Sequence, residues 1–411
     1  MSSRKPARAG YDLEIDLGGD PNGAGCFAYA LIKLAYTINA ANGRLETRPA
    51  VALENDFRNK DLVPRLPAHS DFWPAKQSTD VAVLGSAYAI GKPVRKMITG
   101  IEVGSRNKQV LVMGDRNVEW SKDGQAKLGE AQLFNRIPMF IERAYGGCDF
   151  RVPFKKDDPR SMGVTLECDY PGLYPRNPWG TGYLVMPEPI DGMPLPNLED
   201  PNDVLTAERI LLGDPANWFR QPMPCYLDWT PVNCFPRNIF FAIECEPWFP
   251  APDDARLKEV QQGHLPMGYR EHLKDQHFGT APHLRFRQES SPGLMFSKDL
   301  HGAGIRITGM HPQHATLEFQ LPKAGPHIEM KIEKKREELQ PHLTSLAIYP
   351  DQEYLTMTYT VIMQSPRPFL PGIHKHIPIA VSVNGDRAVP YRPPDTLRER
   401  LATAKSAQKK T

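Results

Sequence analysis

Proline constrains this chain more than any other feature: 41 of its 411 residues, about twice the usual share of about 5%. A proline has no backbone N–H, and its ring clashes with the preceding helical turn, so prolines this dense leave little uninterrupted chain for long helices. A helical bundle, a coiled coil and a regular α/β barrel are all disfavoured. Short strands joined by proline-rich loops remain. With 40% apolar and 24% charged residues, the chain has the make-up of a folded protein. Its length allows two domains or one large one.

Periodicity supports strands. Leu355, Met357, Tyr359, Val361 and Met363 alternate with Thr356, Thr358, Thr360 and Ile362, a period of two whose Thr-rich face is expected to point outward. Leu317, Phe319 and Leu321 repeat the pattern, as do Ile328, Met330 and Ile332. Further strands are expected at 28–38, 80–84, 96–103 and 109–113, and the apolar run 239–243 reads as a strand buried on both faces. Helix signals are few: 253–262, a short helix at 206–212, and a terminal helix after Pro393-Pro394 with Asp395 as N-cap.

The expected fold class is therefore mainly β: strand-rich, sandwich-like sheets with long proline-rich loops and few short helices. The chain divides into a basic tail (1–10), a β-rich part (11–147), an irregular proline- and aromatic-rich segment expected to pack on the sheets (148–236), a second β-rich part (237–385) and a basic, helical tail (386–411).

Lys+Arg exceeds Asp+Glu by only two. The excess sits in the tails: Arg4, Lys5 and Arg8 at one end, and a cluster from Arg392 to Lys410 at the other. No basic stripe crosses the body, so no nucleic acid is expected as a partner. No apolar stretch reaches the roughly 18–20 residues that span a bilayer, and the run from Cys26 to Ile38 is broken by Lys33, so membrane insertion is not expected. The alternation from Tyr11 to Asp16 lacks the apolar block of a signal peptide, which points to the cytoplasm. Six cysteines without C-x-x-C spacing read as reduced, mostly buried thiols.

No constellation for chemistry stands out. The glycine-rich run from Gly18 to Gly25 leads into Cys26-Phe27-Ala28-Tyr29, which opens a strand, so it lacks the helix N-terminus that a phosphate loop requires. His311/His314 and His374/His376 are spaced like ligand pairs, but neither has a third or fourth ligand nearby in sequence. Gly-x-Ser-x-Gly is absent, and the carboxylate pairs Glu244/Glu246 and Asp253/Asp254 are unselective. No catalytic residue, metal or cofactor is expected. One alternative is a carbohydrate-active hydrolase or glycan-binding protein built on Trp218, Trp229 and Trp248 with Asp228 or Glu244.

Three further motifs read as turns. Gly114-Asp115-Arg116 follows a strand, with Arg116 expected to pair with Asp115 or to stack on Trp120. Ala144-Tyr145-Gly146-Gly147 and Asn177-Pro178-Trp179-Gly180-Thr181-Gly182 carry glycines that permit close backbone approach. Structural turns are the base reading for these segments, and a partner-binding rim is the alternative.

Taken in order with Ser78–Ala89, Gly91–Val94, Leu195-Pro196-Asn197-Leu198-Glu199 and Leu346–Asp351, these motifs resemble a bacterial domain-of-unknown-function family associated with type VI secretion. The resemblance runs from about residue 25 to about 365. It implies a non-enzymatic cytoplasmic adaptor or chaperone that binds an effector with a PAAR-like domain and helps load it onto the spike protein. A spike or baseplate component is a further alternative. The resemblance brings no catalytic residues. The positions it singles out are Gly114, Asp115, Arg116, Tyr145, Gly146, Gly147, Asn177, Pro178, Gly180, Gly182 and Asn197.

Overall fold

Alternating apolar residues and threonines give strand Tyr354–Ser365, which pairs antiparallel with Cys26–Ile38 on one side and with His342–Tyr349 on the other. The computed structural model describes residues 11–19, 26–53, 71, 76, 78–152, 172–186, 190, 192–210, 221–231, 234, 289–297, 299–332, 335–365, 379–382 and 389–390. Around Tyr354–Ser365 a seven-stranded sheet forms in the order Tyr11–Gly19, Cys26–Ile38, Tyr354–Ser365, His342–Tyr349, Thr79–Val83, Met295–Phe296, with Leu45–Thr47 also on Cys26–Ile38. Thr79–Val83 runs parallel to His342–Tyr349, so residues from both halves of the chain complete one sheet.

A five-stranded sheet runs Leu198–Glu199, Arg106–Met113, Lys96–Val103, Gly304–Thr308, Thr316–Gln320. The two sheets share one apolar core. Ile32, Leu34, Val81, Ile348, Met357 and Tyr359 of the larger sheet pack with Ile101, Val110, Ile305, Leu317 and Phe319 of the smaller. The expected mainly-β, sandwich-like class is found, since each sheet buries its alternate residues against the other. His311, in the turn after Gly304–Thr308, joins the sheets. Its Nδ1 accepts the backbone N–H groups of Gln313 (3.1 Å) and His314 (3.0 Å), so its proton sits on Nε2, 3.1 Å from Oε1 of Glu353. His311 and His314 are thus committed to a turn, and no cluster of three or more metal-ligating side chains occurs among the described residues. His374 and His376 lie outside them.

The Thr-rich face does not point outward. Thr356, Thr358 and Thr360 are buried, as are Thr344, Ser345 and Lys33. A second layer covers this side and pairs several of its polar groups, while the buried Thr360 hydroxyl has no hydrogen-bond partner among the described residues. Lys33 Nζ meets Asp71 Oδ2 at 2.9 Å, and Thr358 Oγ1 donates to Asp71 Oδ1 at 2.6 Å. Lys76 Nζ lies 2.9 Å from Asp80 Oδ2, 2.8 Å from Glu289 Oε2 and 3.1 Å from Ser345 Oγ. Alternation marks two distinct faces, but it does not say that the polar one is wet. Hydroxyls and paired charges can be buried when each finds a partner.

Turn Asn39–Gly43 closes against the outer border of the five-stranded sheet. Gly43 adopts φ +70°, and a Cβ there would lie on the carbonyl oxygen of Glu318, midway along Thr316–Gln320. A smaller four-stranded sheet contains hairpin His327–Ile332/Lys335–Leu339 with Ile379–Ser382 and Val389–Pro390.

The described part of 148–236 has an apolar core of its own, in which Tyr174, Tyr183, Leu184, Val185, Leu195 and Leu205 pack with Tyr145 and Val118. It reaches the five-stranded sheet through Leu198–Glu199. Helix is confined, among the described residues, to three-residue 3-10 turns at Ile141–Arg143, Ala207–Arg209 and Pro350–Gln352. The described part of the expected short helix at 206–212 holds one of these turns, Ala207–Arg209, and residues 211–212 lie outside the described residues. No described helix is long and apolar enough to cross a membrane. The expected elements 239–243 and 253–262, and the terminal helix, lie outside the described residues.

Candidate functional site

The motif residues come from four separate segments and meet in one place. Strand Arg106–Met113 delivers Gly114-Asp115-Arg116, and the 3-10 turn Ile141–Arg143 delivers Ala144 to Gly147. The loop 172–180 brings Asn177, Pro178 and Gly180, Thr181–Gly182 follows it, and Leu198–Glu199 is preceded by Asn197. Tyr145–Gly146 pairs parallel with Thr181–Gly182.

Asn197 is the first hub. Its backbone accepts from Met113 N–H (2.8 Å) and donates to Arg143 O (2.9 Å). Its Nδ2 donates to Met113 O and to Asp115 Oδ1, both at 3.0 Å, while its Oδ1 accepts Arg143 Nη1 at 2.7 Å. Asp115 completes the group with Arg143 at 3.5 Å. One amide side chain thus locks the end of a sheet strand to the 3-10 turn. Asn197→Ala is expected to cost about 1–2 kcal/mol, because three part-buried hydrogen bonds are lost and water can replace only some of them. A urea melt would read this as a lower midpoint at unchanged slope.

Asn177 is the second hub and is fully buried. Its Nδ2 donates to the carbonyls of Ile141 (2.9 Å), Tyr145 (3.2 Å) and Ala144 (3.5 Å), and its own carbonyl accepts Gly147 N–H (2.9 Å) and Gly180 N–H (3.2 Å). The backbones approach so closely here that side chains are excluded. A Cβ on Gly146 would lie on Asn177 O, and one on Gly180 would come within 2.7 Å of Gly146 Cα. Gly114 is under the same constraint, with the carbonyl of Gln132 where a Cβ would stand. Gly182 packs on Pro196, and Pro178 is buried beside Asn177.

Arg116 neither pairs with Asp115 nor stacks on Trp120. Successive residues of extended backbone point to opposite sides. Asp115 therefore faces out toward Arg143 while Arg116 turns inward to Glu199. Trp120 instead donates its indole N–H to Ile190 O at 3.1 Å. Glu199 also accepts Leu205 N–H at 2.8 Å. Burial pushes its carboxyl above the ordinary range, and the Arg116 guanidinium opposes that shift. Below this pair Tyr145 donates to Gln221 Oε1 at 2.8 Å and meets Tyr174 edge-on at 5.3 Å.

Sequence reasoning missed Arg143, Glu199, Gln221 and Asp149 as anchors. The signal for the first two was charge: Asp115 and Arg116 sit in one motif, and their opposite charges, Arg143 and Glu199, adjoin or close two others. Asp149 had no such signal. Its Oδ2 accepts the N–H groups of Val185 and Met186, both at 3.0 Å, and Arg151 Nε lies 2.9 Å from Oδ1. Burial disfavours its charge, but Arg151 and the backbone donors outweigh this and hold its pKa at about 2, against 3.8 ordinarily. A depressed carboxylate stabilises fully above its unfolded value, and the contribution fades as pH falls toward the folded value. Asp149→Asn is expected to cost about 1.5–3 kcal/mol at pH 7. The gap from wild type should close toward pH 2, as denaturant titrations across this range would show.

The first and last motif blocks also meet. Leu84 N–H donates to Ile348 O at 2.8 Å, Tyr88 OH to Asp351 Oδ2 at 3.3 Å, and Gly85 leaves room for the Asp351 carboxylate. Trp229, by contrast, is 5% exposed and packs on Ala82 and Ala347, so it offers no open ring face to a sugar. Trp218, Trp248 and Glu244 lie outside the described residues. Of the eleven motif positions only Asp115 is exposed.

No curated protein and no solved structure matches the chain. Residues 25–360 match the family described as "Uncharacterized protein conserved in bacteria (DUF2169)". That match covers most of the sequence and every segment of the knot around Asn177 and Asn197, and the chain belongs to this bacterial family.

Proposed function

We propose that this chain is a non-enzymatic cytoplasmic adaptor that binds a type VI secretion effector carrying a PAAR-like domain and assists its loading onto the secretion spike. The observation that carries this reading is how the motif residues are used. They tie backbone to backbone in a buried knot, which suits a family that keeps one scaffold and varies the surface it presents. Around the knot the exposed side chains include Leu133, Phe140 and Phe150, each next to a knot segment: Gln132 on Gly114, Ile141 under Asn177, and Asp149. Exposed apolar groups beside a rigid framework suit the holding of a client's apolar surface.

The test is co-expression with a PAAR-like effector encoded beside this gene. A stable complex on size exclusion, and loss of soluble effector when the gene is deleted, would support the adaptor. Leu133→Ser with Phe140→Ser should weaken the complex at least about ten-fold while leaving the urea midpoint unchanged. Absence of a complex together with unaltered effector levels would sink the reading, as would turnover of a glycan panel by the purified protein.

A further inference from the structure

Asp115 is the motif position whose side chain leaves the knot: it is 70% exposed, while Asn197, which holds it, is buried. Its carboxylate contacts all fall on Oδ1, from Asn197 Nδ2 at 3.0 Å and Arg143 Nη1 at 3.5 Å. Arg143 Nη1 makes its shorter bond elsewhere, to Asn197 Oδ1 at 2.7 Å. Among the described residues Oδ2 accepts nothing, although each carboxylate oxygen can accept hydrogen bonds of its own. The knot therefore holds this charge still without saturating it.

Two exposed apolar side chains belong to the segments that fix it. Asp115 O accepts Gln132 N–H at 2.9 Å, and the next residue, Leu133, is 61% exposed. Arg143 N–H donates to Phe140 O at 3.0 Å, and Phe140 is 44% exposed. Phe134 and Ile141, the residues that follow these two, are buried, so Leu133 and Phe140 point away from the core.

Charge and apolar groups together select an occupant. A purely apolar partner would strip water from Oδ2 and return nothing. A two-fold contact between copies of this chain through the same surface would set one Asp115 carboxylate against the other. A partner cation meets the open oxygen, and its fixed position reduces the ordering that binding must impose. With Oδ1 already engaged, the contact is made end-on through one oxygen, which an ammonium or a single guanidinium N–H can do.

We propose that Asp115 is the charged anchor of the client surface: it takes a Lys or Arg side chain of the effector on Oδ2, while apolar residues of the same segment pack on Leu133 and Phe140. This site rests on the adaptor reading and adds to it the chemistry of the segment recognised.

The test uses the purified intact chain and the PAAR-like effector encoded beside its gene. Asp115→Asn keeps the oxygen that Asn197 bonds and removes the charge. It should leave the urea midpoint near that of wild type and weaken the complex about ten-fold at low salt. At about 1 M NaCl, where screening acts over about 3 Å, the gap should narrow to about two-fold. Glu318→Gln removes an exposed charge at the far border of the five-stranded sheet and should leave affinity unchanged. The photo-crosslinker p-benzoylphenylalanine in place of Gln132 should capture an effector peptide with a Lys or Arg within about three residues of the attachment point, roughly 10 Å of extended chain. Reversing that cation to Glu should weaken the complex, and Asp115→Arg should then restore it. An Asp115→Asn complex as tight as wild type, or a captured peptide without a cation, would overturn this site and leave the adaptor reading standing. Failure of the wild-type chain to bind the effector would remove both. Self-association of the chain alone, lost in Leu133→Ser, would give the surface to a second copy and overturn the proposal.

Discussion

Lys76→Met is expected to lose about 3–5 kcal/mol at pH 7, the range for breaking a buried ion cluster by removing one member. The lysine side chain is 1% exposed, and Asp80 and Glu289 are fully enclosed. Without the ammonium, both enclosed carboxylates lose the counter-charge that Lys76 supplies. Asp80 retains the N–H groups of Glu289 (2.9 Å) and Ser290 (3.2 Å) and the Ser290 hydroxyl (2.8 Å). Acidification should therefore restore part of the loss, as one carboxyl takes up a proton, and Lys76→Met/Glu289→Gln should recover part of it already at pH 7.

In the wild type, burial disfavours the Lys76 charge, and Asp80 and Glu289 outweigh it, raising the pKa above the ordinary lysine value. A raised cation contributes its full stability below its unfolded pKa and loses it only as pH climbs through the folded one, so the wild-type cluster should hold into strong alkali. Urea melts of the three proteins at pH 5, 7 and 8 would measure this. A Lys76→Met protein as stable as wild type at pH 7 would refute the account.

The second large effect is expected at the Asn177 hub. Gly146→Ala should cost at least about 3 kcal/mol. Its φ of +150° is foreign to residues with a side chain, and the added carbon would meet the Asn177 carbonyl, a backbone atom with no rotamer to yield. Gly91→Ala and Gly124→Ala provide the comparison. Both have positive φ, of +87° and +74°, with open space where the Cβ would stand. They should cost only about 1–2 kcal/mol from backbone strain alone. Thermal melts of the three variants separate conformational strain from steric exclusion. Equal losses at all three positions would show that close approach at Asn177 contributes nothing.

Strands were legible where alternation was clean. The expected segment 96–103 coincides with Lys96–Val103, and the Thr-rich run lies within Tyr354–Ser365. The destination of its polar face was not legible, because alternation is a local signal and the covering groups come from Asp71, Lys76 and Glu289, far away in sequence. Strand Tyr11–Gly19 was visible as alternation but served only to exclude a signal peptide; its pairing partner is Cys26–Ile38. At the knot, glycines and asparagines were recognisable as turn residues. Their convergence was hidden, since it depends on carbonyl positions at Gln132, Ile141 and Ala144 that no residue identity encodes.

The turn at Gly43 bears on how this molecule can meet others. A foreign chain seeking to zip onto the five-stranded sheet beside Thr316–Gln320 would find the Glu318 carbonyl already occupied by a neighbouring main chain. At the opposite border Leu198–Glu199 pairs only with Leu111 and Val112 of strand Arg106–Met113. Growth of that sheet by an incoming ribbon is thus obstructed at the Thr316–Gln320 rim, which favours recognition there through side chains and loops.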